Sequence, residues 1–147
     1  MQQPIRTILV AVDFSEPSDR ALEAAIQLAR SLGARLHVVH SFELPIPAVS
    51  PYEVAIPVAY LEETRNAASE RLAAAVAAAR EAGVETGSQM GEGPAASAIV
   101  DAAQEVSADL IVVGTHGHTG LKHLVLGSVA ERTVRHAPCS VLTVKGP

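Results

Sequence analysis

Two unbroken apolar runs decide the class of fold: Ile8-Leu9-Val10-Ala11-Val12 early in the chain and Leu110-Ile111-Val112-Val113 late in it. A run of apolar residues without alternating polar positions is typical of a strand buried on both faces of a sheet. Each run ends at a residue typical of turns, Asp13 after the first and Gly114 after the second. The sequence therefore predicts two central strands of a parallel sheet, with turns at their carboxyl ends.

Helical and extended segments alternate along the rest of the chain. Further strands are predicted at residues 36–40, 84–90 and 140–144, and the middle one is the weakest because it contains Gly87 and Ser88. Helices are predicted from a cap at Ser15 or Ser18 to residue 32, where Gly33 ends the helix as its C-terminal cap, and over residues 59–82. Two more helices are predicted after Pro94 and over residues 128–135. This alternation predicts an α/β fold of one domain over residues 1–147, in which a parallel sheet carries helices on both faces.

Composition excludes several classes of function. The 147 residues include 11 basic and 16 acidic side chains, a net charge of −5, which argues against nucleic-acid binding. No apolar run approaches the ~20 residues that a membrane-spanning helix needs, and no secretory signal is expected. The single cysteine, Cys139, excludes an intramolecular disulfide and fits the reducing cytoplasm.

The loop that follows the late apolar run carries the strongest functional signal. It reads Gly114-Thr115-His116-Gly117, then nine residues, then Gly127-Ser128 at the start of a predicted helix. Glycines at a strand end allow close approach of a ligand to the backbone and positive φ angles. A helix amino terminus offers unpaired N–H groups to a phosphate. Because ligands of such folds bind at the carboxyl ends of the strands, the spacing predicts a nucleotide site there.

The pattern Gly-x2-Gly-x9-Gly-Ser resembles the nucleotide-binding motif of the universal stress protein family. The resemblance extends over essentially the whole chain, from residues 8–15 through residues 36–40 and 109–117 to residues 127–130 and 138–144. It implies a Rossmann-like, open five-stranded sheet in the order 3-2-1-4-5. It also implies homodimers joined through the last strand, and ATP binding, because this chain has the complete glycine motif.

Carried over by position, the resemblance assigns each part of the nucleotide to particular residues. Phosphates and ribose would be held by Gly114, Gly117, Gly127 and Ser128, with further amides from Val129 and Ala130. Asp13 would lie beside the ribose and phosphates and help to hold Mg²⁺, and the backbone at His40 and Ser41 would meet the adenine. The strand ends Ala11, Val12 and Val113 complete the expected binding set. A small apolar residue is more usual in the family where this chain has Ser41.

Two other interpretations of these residues stay open from sequence alone. The segment Gly91-Glu92-Gly93-Pro94-Ala95-Ala96 matches the dinucleotide fingerprint G-x-G-x-x-A, but Asp109, at the expected distance, precedes its strand instead of ending it. Asp13 is either a ligand contact or an acidic residue that supports the following helix start. No G-x-x-x-x-G-K-[ST] motif occurs, which excludes a P-loop.

Histidines and the cysteine offer weaker chemistry. His116, His118 and His123 lie in one loop with Lys122, and His136 follows the next helix. The histidines are interpreted as solvent-facing or phosphate-facing groups, because the chain has too few cysteines and no supporting ligands for a zinc site. Cys139 is interpreted as a small buried residue, and no catalytic residue is assigned.

The sequence thus predicts an ATP-binding regulator of the stress response that acts through binding and dimerisation, with an unidentified protein partner as a further expectation. AMP, ADP and a cyclic nucleotide stay open as ligands in place of ATP. A slow ATPase or phosphotransferase that uses the same pocket is the alternative of a different class. A partner-binding module with an empty pocket is a third.

Overall fold

The fold is seen in a computed structural model that describes residues 3–43, 57–116 and 126–146. Five strands and four helices occur in these ranges: β1 (Thr7–Ala11), α1 (Glu16–Leu32), β2 (Arg35–Phe42), α2 (Val58–Glu81), β3 (Thr86–Glu92), α3 (Ala95–Glu105), β4 (Leu110–Gly114), α4 (Ser128–His136) and β5 (Ser140–Val144). The sheet order is β3-β2-β1-β4-β5, and all four neighbouring pairs are parallel. The predicted α/β architecture and strand order are confirmed.

The two sheet faces bury separate apolar cores. Ile8 and Val10 of β1 face a cluster that includes residues of α1 and α2, whereas Leu9 faces a cluster that includes residues of α3 and α4. All three of these side chains are fully buried. The early apolar run is therefore unbroken because each of its faces meets a layer of helices.

The strand order reverses between β1 and β4, and this reversal positions the site. The chain leaves β1 for α1 on one face of the sheet, and it leaves β4 for α4 on the other. In a sheet of this kind the two departing connections leave a crevice at the carboxyl edge. No helix in the described part of the chain combines the length and apolarity needed to cross a membrane.

Local sequence fixes the ends of α1. Ser15 is its N-cap, and the Ser15 hydroxyl oxygen accepts a hydrogen bond from the Ser18 N–H at 3.4 Å. Gly33 ends the helix in the left-handed conformation at φ 65°, where a side chain would be strained. Of the two predicted caps, Ser15 is therefore the correct one, and the role of Gly33 is confirmed.

The third strand differs from the prediction at both ends. It spans Thr86–Glu92 instead of residues 84–90, so Gly91 and Glu92 belong to the strand and the turn begins at Gly93. Seven register pairs with β2 hold it in place, the last being Phe42 with Glu92. Pairing with a neighbouring strand overrides the poor strand propensity of this sequence.

Candidate functional site

The loop after β1 is tied together by the Asp13 carboxylate. Asp13 Oδ1 accepts hydrogen bonds from the Ser15 N–H, at 3.0 Å, and from the Ser15 hydroxyl. The Asp13 N–H donates to Ser18 Oγ at 3.2 Å. Between them, Phe14 has a positive φ of 64°, which is uncommon for an aromatic residue. Asp13 thus supports the start of α1, as one interpretation predicted, and it does so at the carboxyl end of a central strand.

The end of β2 lies beside this loop. His40 Nδ1 is 2.8 Å from the carbonyl oxygen of Val12, and because a carbonyl only accepts, Nδ1 is the protonated nitrogen. The His40 ring also contacts the Phe14 ring, with centroids 4.5 Å apart. Ser41 Oγ donates to the carbonyl oxygen of Gly93 at 2.7 Å, so a hydroxyl is accommodated at this position.

Gly114, at the end of β4, lies close to the first turn of α1. A Cβ built on Gly114 would lie 3.0 Å from the Pro17 carbonyl oxygen and 3.3 Å from Pro17 Cβ. Among the described glycines only Gly33, Gly83 and Gly93 have positive φ, so Gly114 does not use the positive φ that a glycine allows. The residue is small because β4 passes tightly under the first turn of α1.

The start of α4 is held against the end of β4. The Gly127 N–H donates to the Thr115 carbonyl oxygen at 2.6 Å, and the Thr115 N–H donates to the Val144 carbonyl oxygen at 3.0 Å. A Cβ on Gly127 would lie 2.9 Å from the Thr115 oxygen, a distance that real contacts essentially never show. Gly127, the third glycine of the motif, is therefore needed to bring the amino terminus of α4 to the carboxyl edge of the sheet.

The helices that begin at this edge differ in how their first turns are satisfied. Ser15 caps α1, and Glu43 Oε1 accepts from the Ala95 N–H at the start of α3 at 3.2 Å. At α4 the N-cap is Gly127, and no side chain in the described ranges caps the first turn. The first N–H groups of a helix have no partner within the helix itself. Those of α4 are thus unpaired within residues 3–43, 57–116 and 126–146.

The predicted binding residues that the structure describes gather at one edge of the sheet. They are the ends of β1 (Ala11, with Val12 and Asp13 following), β2 (His40 and Ser41) and β4 (Val113 and Gly114), and the start of α4 (Gly127, Ser128, Val129 and Ala130). Ser128 and Val129 are exposed there, whereas Ala130 is buried. Gly117 lies outside the described residues, as do His118, Lys122 and His123.

The competing dinucleotide interpretation does not fit the structure. Asp109 Oδ2 accepts from the backbone N–H groups of Arg6, at 2.9 Å, and Thr7, at 3.0 Å, at the amino edge of the sheet. Its carboxylate is therefore at the opposite edge from the turn at Gly93. Glu43 already provides a negative group to the start of α3, where this fingerprint would bind a phosphate.

The histidines and Cys139 are the remaining candidate groups. Within the described ranges, no three His, Cys, Asp or Glu residues group as a metal site. Cys139 packs against the core cluster of α3 and α4, but it is half-buried there and not fully buried as predicted. Burial, and secondarily the charge of Asp109, raises the pKa of the Cys139 thiol above its ordinary value, which opposes a nucleophilic role.

Comparison with known proteins identifies the family. The sequence profile of the universal stress protein family matches residues 4–145. The chain is 35% identical over 146 residues to universal stress protein MJ0531 of Methanocaldococcus jannaschii, covering 97% of this chain and 83% of that protein. It is 34% identical over 144 residues to universal stress protein YxiE of Bacillus subtilis, covering 94% and 97% respectively. The chain belongs to the universal stress protein family.

Solved structures of the family share the fold. A universal stress protein from Burkholderia pseudomallei has a TM-score of 0.74 at 32% identity, with 98% of both chains covered. A universal stress protein solved in complex with cAMP has a TM-score of 0.69 at 27% identity, covering 99% of this chain and all of the other. One from Archaeoglobus fulgidus, in complex with dAMP, has a TM-score of 0.68 at 29% identity, covering 97% and 100%. Some structural relatives of this chain therefore bind adenine nucleotides.

Proposed function

We propose that this protein binds an adenine nucleotide, with ATP as the physiological ligand, in the crevice between the carboxyl ends of β1 and β4. The observation that carries the proposal is the start of α4, which is held at that edge by the Gly127–Thr115 hydrogen bond and has no side-chain cap in the described residues. Unpaired N–H groups at the positive end of a helix dipole suit a phosphate. Ser128, exposed at the first position of the helix, adds a hydroxyl donor.

The end of β2 supports adenine as the base. The Val12 N–H donates to the Val39 carbonyl oxygen, so the backbone groups of Val39 face β1. Two residues further on, the Ser41 N–H and C=O face the same side, beyond the last register pair between the two strands, Ala11 with Val39. The backbone N–H could donate to adenine N1, and the C=O could accept from the adenine N6 amino group. Backbone polar groups at such a site require partners, and adenine would supply them.

The ligands of two solved relatives add independent support. Those universal stress proteins, at 27% and 29% identity, were solved with cAMP and with dAMP. Both ligands share the adenine base and a phosphate. For this chain we assign the phosphates to the α4 start and the ribose to the vicinity of Asp13, which would also help to hold Mg²⁺ when it accompanies ATP.

We propose that the response to the nucleotide is a change in association, and that turnover is not the function. The edge strand β5 pairs only with β4 among the described strands, and its Leu142 is 38% exposed. An exposed edge with an apolar side chain favours pairing with a second copy of the chain. The proposed role is a nucleotide-dependent regulator of the stress response in the cytoplasm, acting as a homodimer or on a protein partner. Such regulation requires that ATP bind one associated state more tightly than the other.

Two measurements test the nucleotide proposal. Freshly purified protein is denatured and the released small molecules are identified by chromatography and mass spectrometry; added ATP and ITP are then titrated by calorimetry. Inosine reverses the donor and acceptor pattern of the adenine edge, so ITP is expected to bind at least about tenfold more weakly. The absence of released nucleotide, together with no heat from Mg-ATP, contradicts the proposal.

A hydrolysis assay separates regulation from turnover. Phosphate release from ATP is measured with the wild-type protein and with Asp13→Asn. We expect release at the level of a blank in both cases. Release above the blank that Asp13→Asn abolishes would instead favour the ATPase alternative.

A further inference from the structure

Two arginines of α2 stack on phenylalanine rings at the carboxyl edge of the sheet. The guanidinium carbon of Arg65 lies 5.5 Å from the centroid of the Phe42 ring, and that of Arg71 lies 5.1 Å from the centroid of the Phe14 ring. Both distances are within the range of cation–π attraction. Neither arginine belongs to the glycine motif, and both come from a helix that the motif does not include.

The two arginines differ in what balances their charge. Arg65 Nη2 donates to Glu92 Oε1 at 2.9 Å, so the positive charge of Arg65 is already paired with a carboxylate. Arg71 makes no ion pair or hydrogen bond with any residue in the described ranges, and its side chain is exposed. Stacking on a ring uses the face of the guanidinium and leaves its five N–H donors at the rim for a ligand.

The ring beneath Arg71 belongs to the candidate site. Phe14 directly follows Asp13, and its ring contacts the His40 ring, which is fixed by the Val12 carbonyl group. Phe14 has a positive φ, and its side chain packs against the core of α1 and α2. The fold therefore holds in place the ring on which Arg71 stacks. Arg71 is therefore oriented in advance beside the crevice, which lowers the entropy that binding would cost.

We propose that Arg71 is an anion-binding residue of the nucleotide site, contacting a phosphate of the bound nucleotide from the α2 side. This inference rests on the proposed function. A guanidinium that lacks a carboxylate partner and presents a planar set of donors binds phosphate oxygens in a bidentate manner. The amides of α4 approach from the opposite face of the sheet, so the two groups would hold the ligand from both sides.

The test compares Arg71→Gln with a matched control, Arg65→Gln, across adenosine, AMP, ADP and ATP. Both variants remove one exposed, ring-stacked arginine of the same helix, and far-UV circular dichroism and thermal melting establish that each is folded. Calorimetry of Arg71→Gln is expected to show unchanged adenosine affinity and a loss of about tenfold or more for the phosphorylated ligands. Arg65→Gln is expected to bind the whole series as the wild type does.

Each outcome has a distinct meaning. The first ligand in the series that loses affinity in Arg71→Gln identifies the phosphate that Arg71 contacts. Added salt should weaken nucleotide binding by the wild type more steeply than binding by this variant. Equal affinity of Arg71→Gln and the wild type for all four ligands overturns the inference and leaves the nucleotide proposal intact. An equal loss for adenosine also overturns it, because the contact would then be to the base or ribose. A wild-type protein that binds none of the four contradicts the proposed function and with it the inference.

Discussion

Replacing Gly127 with alanine tests the contact that holds the start of α4 to the end of β4. Gly127 has φ −70° and ψ 164°, a conformation that alanine adopts readily, so any cost must come from space alone. The added Cβ would lie 2.9 Å from the Thr115 carbonyl oxygen, whereas ordinary contacts begin near 3.4 Å. The end of β4 and the start of α4 must therefore separate by about half an ångström. This movement would stretch the hydrogen bond from the Gly127 N–H to the Thr115 carbonyl oxygen and shift the first turn of α4.

The magnitude follows from two opposing effects. Forcing an extra carbon into a packed contact costs about 1–3 kcal/mol, and the loss of glycine's freedom in the unfolded chain returns about 0.4–1 kcal/mol. The expected net loss in the free energy of unfolding is about 1–2 kcal/mol, which lowers the melting temperature by about 3–8 °C in a chain of this size. Nucleotide affinity should fall by about fivefold to tenfold, because the α4 amides move with the helix start.

Differential scanning calorimetry and titration calorimetry measure the two effects, with Gly87→Ala as the control. A Cβ on Gly87 would meet only the His37 ring, at 3.3 Å, and a side-chain ring is able to tilt away. Gly87 is on β3, far along the sheet from α4, so the control should stay within about 0.5 kcal/mol of the wild type and bind nucleotide equally. If Gly127→Ala matches this control in both measurements, the steric argument is refuted.

Three further perturbations test other parts of the structure. Leu9→Ala, at a fully buried position of β1, should lower the free energy of unfolding by about 2–5 kcal/mol in urea denaturation. Ser15→Ala removes the α1 cap and a donor to Asp13, so urea denaturation should show a loss of about 1 kcal/mol, with nucleotide affinity altered as well if Asp13 contacts the ligand. Asp109→Asn should lower the pKa of the Cys139 thiol, because the Asp109 charge helps to raise it; a thiol reagent at mildly alkaline pH should react faster with the variant than with the wild type. The raised pKa favours the protonated thiol in the folded state. The contribution of Cys139 to the free energy of unfolding is therefore fully present below the pKa of the unfolded thiol, and it is lost as pH rises towards the folded pKa. Cys139→Ser should remove this pH-dependent loss.

Local sequence was sufficient for features that depend on one element and its ends. The unbroken runs at residues 8–12 and 110–113 predicted the central strands, and Gly33 predicted the end of α1. The sequence could not place the ends of β3, because Gly91 and Glu92 are extended only through their pairing with β2. Nor could the sequence show that the close neighbour of Gly114 is Pro17, nearly a hundred positions earlier in the chain.

The candidate site divides in the same way. The spacing from Gly114 to Ser128 indicated the carboxyl edge of the sheet, because the end of a strand and the start of a helix are each marked by neighbouring residues. Nothing in the order of residues indicated that Arg71 of α2 would lie on Phe14, or that Glu43 would occupy the start of α3. These contacts join residues that are remote in the chain, and they depend on how the helices pack against the sheet.

The sequence by itself therefore determined the α/β class, the elements, and the position of a glycine-rich loop at a helix start, since periodicity and end signals are local properties. Only the tertiary structure decided that Ser15 caps α1 and Glu43 accepts from the first N–H of α3, whereas no described side chain caps α4. It also decided that Arg71, which pairs with no described residue, stacks on the Phe14 ring that follows β1. The physical reason is that hydrogen-bond satisfaction and charge balance depend on which distant groups the packed fold brings within reach.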